Sequence, residues 1–208
     1  MIIIDIPFSK RHHCWFCGEP NQHLFTFPHS QYTVFDCPHP KLQVPACKEC
    51  NQIAQQVEAD SIWAVNTQVK KRLMSRYQKD LAIGLNWTQE ELANSEFEDG
   101  NFEGFKRSAW FVYEVAQQRM TYQYWPIFID GSEVDVDYIK PYFTVDGIDY
   151  PSIDDAIQHY CYSFDLNIKF FRQVLKKVGE SRFIYAVRYA RLFIGSTPKE
   201  QAIALKEL

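Results

Sequence analysis

Four cysteines of this chain form two matching pairs. Cys14 and Cys17 are separated by two residues, Cys47 and Cys50 repeat that spacing, and residues 18–46 lie between the pairs. A Cys-x2-Cys turn directs two thiolates toward one point, and two such turns complete the tetrahedron that Zn2+ prefers. The spacing therefore predicts one structural zinc ion bound by all four cysteines.

The sequence around the second pair indicates how the site is built. A helical pattern begins near Asn51, and a helix N-terminus stabilises thiolates electrostatically. One Cys-x2-Cys turn followed by a second at the start of a helix is typical of a treble-clef zinc fold. The alternative is four buried structural thiols or a redox pair.

Two further cysteines stand outside this pattern. Cys37 is a candidate to replace one of the four ligands, or to form a second site with His29 or His39. A lone Cys or His is more often packed than ligating, so packing is the alternative. Cys161, alone in a predicted helix, is expected in the core.

The zinc pairs also carry a family resemblance. Cys14-Trp-Phe-Cys17, then His29, then Val44-Pro-Ala-Cys-Lys-Glu-Cys-Asn51 together resemble the zinc-stabilised HNH endonucleases. The resemblance implies that His29 is the general base that activates water. It also implies that Asn51 helps to hold a catalytic Mg2+ or Mn2+ on the scissile phosphate.

The chain departs from that family at two positions. Pro28 stands where the family has an acidic metal ligand. The Asn that the family has just before the Val-Pro-Ala segment is missing, and Lys41, Leu42 and Gln43 stand there instead. Asp36 is the remaining candidate for a carboxylate. We therefore expect an HNH-like scaffold with a degenerate catalytic site, and an active nuclease is the alternative.

A second resemblance lies in the C-terminal third. Residues 143–156, which contain Tyr150-Pro-Ser152, and residues 195–202 are similar to the helix-turn-helix modules that accompany homing endonucleases. Residues 165–179 depart from those modules as an inserted helix. The resemblance implies DNA binding through a basic face, for which the candidates are Lys176, Lys177, Arg182, Arg188 and Arg191. The alternative is a core helix with a solvated arginine edge.

Charge is segregated along the chain, although the net charge is only −4. Residues 88–155 carry 4 basic and 15 acidic side chains, whereas residues 169–208 carry 9 basic and 3 acidic ones. A polyanion should prefer the C-terminal segment. The acidic, aromatic middle is a candidate surface for a protein partner, with Trp63, Trp110 and Trp125 as possible anchors.

Composition limits the class of protein. Hydrophobic residues make up 46% and aromatic residues 16%, which excludes an intrinsically disordered chain. Asp5 and Pro7 interrupt the apolar start before it could act as a signal peptide, and no other apolar run is long enough to cross a membrane. We expect a cytoplasmic protein without a membrane partner.

Periodicity and turn residues predict an α+β fold that is mostly helical. A treble-clef zinc region is expected over residues 1–57, a helical region with short strands over 58–135, and a hairpin with helix-turn-helix-like segments over 136–208. An apolar stripe from Ile62 to Tyr77 predicts a helix with a basic side that stops at Gly84.

Further elements follow from capping and turn signals. Thr88 and Glu91 match a capping box, a helix from Phe105 should end before Trp125, and residues 127–129 and 134–139 suit short strands. Asp146-Gly147 predicts a hairpin turn. About four helices should follow, with predicted N-caps at Ser152, Asp165 and Thr197 and stops at Gly179 and Gly195.

These patterns favour a zinc-stabilised DNA-binding protein related to HNH endonucleases. The alternatives are an active divalent-metal-dependent DNA endonuclease and a regulatory module that binds a protein partner.

Overall fold

The computed structural model describes residues 2–29, 37, 39–95, 102–134 and 143–208. These ranges form a mixed α and β structure in which helices predominate, which confirms the predicted fold class. The chain divides into two compact units. The first comprises Met1–Leu73, Gln117–Pro141 and Asp146–Ile148, and the second comprises Met74–Ala116, Tyr142–Val145 and Asp149–Leu208. The division into residues 1–57, 58–135 and 136–208 stays a prediction.

A three-stranded sheet organises the first unit. Strand β1 (Ile2–Ile3) lies parallel to β3 (Leu42–Ala46), and β2 (His23–Phe27) lies antiparallel to β3 on its other side. Phe25 and Phe27 are buried, whereas Leu24 is exposed and Thr26 is half-buried, because successive side chains of a strand point to opposite faces. One face of the sheet therefore supplies core.

Two helices follow the sheet in sequence. Helix α1 (Lys48–Ala54) begins directly after Cys47, three residues earlier than predicted. Helix α2 (Ile62–Arg76) buries the predicted apolar stripe of Ile62, Val65, Val69 and Leu73. Its basic side was predicted less well, because Lys70 is only 1% exposed.

The chain breaks after α2 and continues as α3 (Gln78–Asn86) in the second unit. The predicted stop at Gly84 is wrong, since Gly84 lies inside α3 and is buried. A Cβ at this position would overlap the ring of Tyr113. The glycine therefore permits a close approach between two helices, a role that sequence alone does not distinguish from a C-cap.

Two further helices follow α3. Thr88 caps α4 (Gln89–Ala93) through the predicted capping box with Glu91. Helix α5 (Phe102–Thr121) ends before Trp125, as expected. Its last residues, from Gln117 onward, belong to the first unit, where Lys70 donates hydrogen bonds to the carbonyl oxygens of Arg119 at 3.2 Å, Met120 at 2.5 Å and Tyr122 at 2.5 Å.

A small hairpin follows α5 in the first unit. Strands β4 (Phe128–Ile129) and β5 (Ser132–Glu133) are joined by Asp130 and Gly131, which both have positive φ. Asp5 fixes the turn, because its backbone N–H donates to Phe128 at 2.8 Å and its side chain accepts from Gly131 N at 2.8 Å. The strand predicted over 134–139 lies outside the described residues from 135 onward.

The predicted Asp146-Gly147 hairpin is confirmed. Strands β6 (Phe143–Val145) and β7 (Ile148–Tyr150) pair across the two turn residues, whose φ angles are 51° and 72°. Both angles are positive, as a two-residue hairpin turn with matching twist requires.

Four α-helices follow the hairpin, as predicted. They are α6 (Ile153–Phe164), α7 (Ile168–Val178), α8 (Phe183–Arg191) and α9 (Pro198–Glu207), with a 3-10 turn at Glu180–Arg182. Ser152 and Thr197 cap α6 and α9, and Gly179 ends α7, as expected. Helix α8 already ends at Arg191, before Gly195, whose φ of 76° lies in the turn toward α9.

The predicted N-cap at Asp165 is wrong. Asp165 is the C-cap of α6, in the left-handed region with φ 53°, and the cap of α7 is Asn167. Asn167 accepts a hydrogen bond from Phe170 N at 3.1 Å. Asp and Asn both tolerate the left-handed region and both cap helices, so their order here depends on the length of the turn.

Candidate metal centre

Four buried sulfur atoms converge in the first unit. The ligand atoms of Cys14, Cys17, Cys47 and Cys50 all lie within 4.8 Å of one another. Zn–S bonds of about 2.3 Å in a tetrahedron place neighbouring sulfurs about 3.8 Å apart. The Sγ atoms of Cys17 and Cys47 are 3.8 Å apart, so the donor set and the spacing fit a zinc ion. The sequence prediction of which cysteines come together is confirmed.

The first pair sits in a tight backbone turn. Gly18 N donates to the Cys14 carbonyl at 2.9 Å, and Cys14 N donates to the Glu19 carbonyl at 2.6 Å. Gly18 has φ 78°, and a Cβ there would lie 2.5 Å from the Tyr122 ring. Glycine is therefore required both by the backbone conformation and by the neighbouring ring.

The second pair is positioned by α1. Cys47 is the N-cap of this helix, and its sulfur accepts a hydrogen bond from Cys50 N at 3.4 Å. The sulfur takes the place of a capping oxygen, and the positive end of the helix favours a thiolate there. Strand β3 ends directly before Cys47 and so positions this pair. The first turn is joined to the same strand, because Trp15 N donates to the Pro45 carbonyl at 2.8 Å.

The thiols cannot all be ionised without a cation. Burial raises the pKa of the Cys14 thiol, and hydrogen bonding with Cys14 raises that of Cys50. Hydrogen bonding with Cys14 lowers the pKa of both Cys17 and Cys47. A bound divalent cation would allow four thiolates to share this buried space, because its positive charge offsets the repulsion between them.

A distant residue contacts the sulfur cluster. Arg119, near the end of α5, donates from Nη2 to the Cys17 sulfur at 3.8 Å and to Glu49 Oε2 at 2.6 Å. The side chains of Arg119 and Glu49 are only 8% and 20% exposed. The guanidinium therefore places a positive charge beside a site where four thiolates carry more negative charge than a divalent ion neutralises. The Glu49 carboxylate in turn holds the guanidinium in position.

The segment that follows α5 packs against the first cysteine turn. Trp15 Nε1 donates to the Trp125 carbonyl at 3.0 Å, and the Trp15 ring lies 4.8 Å from that of Tyr124. Burial, with the nearby Cys14 and Cys17, raises the pKa of Tyr122 to about 12. Sequence reasoning missed Arg119, Glu49 and Lys70 because no local spacing connects residue 119 to residues 17 and 49.

Cys37 and His39 stay outside the sulfur cluster. Cys37 Sγ donates to the His39 carbonyl at 3.2 Å. Both ring nitrogens of His39 are engaged, since Nε2 accepts from Ile62 N at 3.0 Å and Nδ1 donates to the Pro40 carbonyl at 2.9 Å. Burial lowers the His39 pKa, which favours this neutral form. His39 thus helps to begin α2. Cys161 is buried, as predicted, and burial raises its pKa to about 11.

The two residues that resemble a nuclease site differ in their surroundings. His29 is exposed, and its ring lies 5.8 Å from that of Phe25. Asn51 lies in α1 with its side-chain oxygen buried and without a hydrogen-bond partner among the described residues. Within residues 2–29, 37, 39–95, 102–134 and 143–208, the four cysteines are the one group of three or more ligating side chains suited to a metal. Asp36 lies outside these ranges.

The predicted anion-binding residues divide into two groups. Lys176, Lys177, Arg182 and Arg188 are exposed, Arg191 is half-buried, and Arg182 lies 5.1 Å from the Tyr185 ring. Lys177, Arg188 and Arg191 have partners within the second unit. Lys177 donates to the Leu205 carbonyl, and Arg188 donates to the Gly84 carbonyl at 3.0 Å. Arg191 lies 5.3 Å from the Phe164 ring, and burial lowers its pKa.

The three tryptophans suggested as interface anchors are not prominent at the surface. Trp125 is buried, and Trp63 and Trp110 are half-buried. Trp110 Nε1 donates to Glu114 within α5 at 2.8 Å. No helix in the described ranges combines the length and apolar character needed to cross a membrane.

Comparison with known proteins adds no relative to this picture. No family model, no curated protein and no solved structure matches the chain. Function must therefore be argued from the residues and their geometry.

Proposed function

We propose that this chain is a zinc-stabilised DNA-binding protein with a treble-clef metal centre of structural role. The observation that carries the proposal is the closed set of four buried cysteine sulfurs. A zinc ion held by four protein ligands has no open position for water or substrate, which is typical of structural sites. The ion would fix the turn at Cys14 and Cys17 to the start of α1.

DNA is the proposed ligand because charge and motif agree. The segment 169–208 carries 9 basic and 3 acidic residues, and residues 195–202 within it resemble the last part of a helix-turn-helix module. Basic side chains on a helical surface neutralise phosphates and release bound counterions. The positive balance of that segment supports a polyanionic partner, of which DNA is the one that the motif favours.

Binding without cleavage is favoured over a nuclease at the HNH-like residues. Pro28 offers no metal ligand beside His29, whose ring is exposed near Phe25. A general base needs a substrate and a metal held in register with it. We therefore propose that the HNH resemblance records a shared scaffold. The active endonuclease remains the alternative outcome of the test below.

The test uses zinc-loaded protein, supercoiled plasmid and Mg2+ or Mn2+. We expect the plasmid to stay intact and its mobility to shift, with the shift weakening as salt rises. Cleavage that disappears in His29→Ala, while the zinc content stays constant, would establish the nuclease instead. If the plasmid shows neither a mobility shift nor cleavage at low salt, the DNA proposal is overturned and a protein partner is favoured.

A further inference from the structure

Helices α6 and α7 form a connected pair with a short turn. Helix α6 ends at Phe164, residues 165–167 make the turn, and α7 begins at Ile168. The turn is closed by Leu166 N, which donates to the Cys161 carbonyl at 2.9 Å, and by the Asn167 cap. Two packed helices joined by three or four residues are the layout of a helix-turn-helix, in which the second helix enters the major groove.

Helix α7 has two sharply different faces. Its buried face consists of Phe170, Phe171, Val174 and Leu175. Its exposed face carries Lys169, Arg172, Gln173 and Lys176, at steps of three, one and three residues. These positions lie on one side of a helix and span about 10 Å along it. The helix contains four basic residues and no acidic one.

The arginines of α8 are less available for a ligand than this face. Arg188 donates to the Gly84 carbonyl, and Arg191 is half-buried over Phe164. A side chain that is already used in packing must lose that contact before it can reach a phosphate. Exposed side chains on α7 carry no such cost, except at Arg172 and at Lys177, which donates to the Leu205 carbonyl.

Arg172 forms a surface ion pair. Its Nη1 lies 2.6 Å from Asp154 Oδ1, and the two side chains are 47% and 57% exposed. Exposed pairs contribute little to stability, so a phosphate can replace the carboxylate at small cost. Asp154 therefore competes with the anion for Arg172.

We propose that α7 is the DNA-contacting helix, with Lys169, Arg172, Gln173 and Lys176 facing double-stranded DNA. The proposal rests on the proposed DNA-binding function and specifies its surface. The basic side chains complement the phosphates. Arg172 and Gln173 have the forked donors and the amide that read base edges in the major groove.

The experiment measures fluorescence anisotropy of a labelled DNA duplex with the full zinc-loaded chain at several salt concentrations. The test variant is Lys169→Gln with Lys176→Gln. The matched control is Lys199→Gln with Lys206→Gln, which removes two exposed charges from α9. Thermal unfolding of each variant verifies that folding is unchanged.

We expect the α7 variant to bind at least about tenfold more weakly near 0.1 M salt, with a salt slope smaller by about 2. The α9 control should lose much less affinity. Asp154→Asn should bind more tightly than the original chain, because Arg172 is released for the phosphate.

Three outcomes would overturn the inference. If the original chain binds DNA and the α7 variant binds equally well, DNA binding stands but α7 is the wrong surface. Tighter binding of a matched RNA duplex or single strand would contradict the DNA duplex as ligand. If the original chain does not bind DNA at any salt concentration, the proposed function itself fails.

Discussion

The four-cysteine region and the C-terminal helices obtain their order in different ways. In the first, a turn of residues 14–17, a strand pair and a short helix converge on four cysteine sulfurs. In the second, α6 to α8 pack around aromatic and aliphatic side chains such as Phe171 and Val187, which are fully buried. With the proposed zinc ion, the first region would depend on one ion, whereas the second depends on many small contacts.

Metal removal should separate the two regions most strongly. Chelation should unfold the turn at Cys14 and Cys17 and helix α1 locally, because structural zinc contributes about 10 kcal/mol or more in small zinc domains. Helices α6 to α8 should keep their amide protection. Hydrogen exchange measured peptide by peptide checks this difference. Equal loss of protection in both regions would contradict the comparison.

Arg119→Met should weaken the first region by about 3 kcal/mol. The change leaves the partly buried Glu49 carboxylate without its 2.6 Å partner and removes the positive charge beside Cys17. Thermal unfolding and the rate of zinc release to a chelator measure both effects. Arg119→Lys is the conservative control, and it should release zinc more slowly than Arg119→Met because it keeps a positive charge. Unchanged release in Arg119→Met would exclude a role at the metal centre.

Gly84→Ala should destabilise the second unit by about 2 kcal/mol, since the new methyl group overlaps the Tyr113 ring. The control Gly104→Ala lies in α5 at a position where a Cβ meets nothing within 4 Å. Denaturant unfolding compares the two variants, and zinc content should be the same in both. A neutral or stabilising Gly84→Ala would show that the two helices do not approach as closely as described.

Ser152→Ala should have the smallest effect, about 1 kcal/mol, because it removes the side chain that accepts from Asp155 N at 3.2 Å and caps α6. Ser152→Thr keeps the hydroxyl and should retain most of the stability. Urea unfolding followed by circular dichroism measures the difference. Equal stability of the Ala and Thr variants would show that the cap contributes nothing.

The sequence predicted those features whose cause is local. The Cys-x2-Cys spacing, the Asp146-Gly147 turn and the capping box at Thr88 each act within a few residues. Their chemistry therefore determines the structure with little help from the rest of the chain. The signal for the Asp130-Gly131 turn was equally local and was missed, although both residues have positive φ.

The remaining features depend on contacts between distant residues. The local sequence predicts a helix stop at Gly84, because the contact with the Tyr113 ring cannot be inferred from neighbouring residues. The pattern after Ile62 predicts a helix with a basic side, whereas Lys70 of this helix is buried and donates to the carbonyl oxygens at the end of α5. Arg119 gave no signal at all, since its partners Cys17 and Glu49 are 102 and 70 residues away. Only tertiary structure brings these groups together.

The proposed zinc site is tested most directly by the metal content of the purified protein, measured by elemental mass spectrometry. We predict one zinc per chain, lost when Cys47 and Cys50 are both replaced by Ser and retained in Cys161→Ser. A cobalt-substituted sample should show the absorption of tetrahedral thiolate coordination. A reconstituted protein that binds no zinc, or that keeps its zinc without Cys47 and Cys50, would contradict the account.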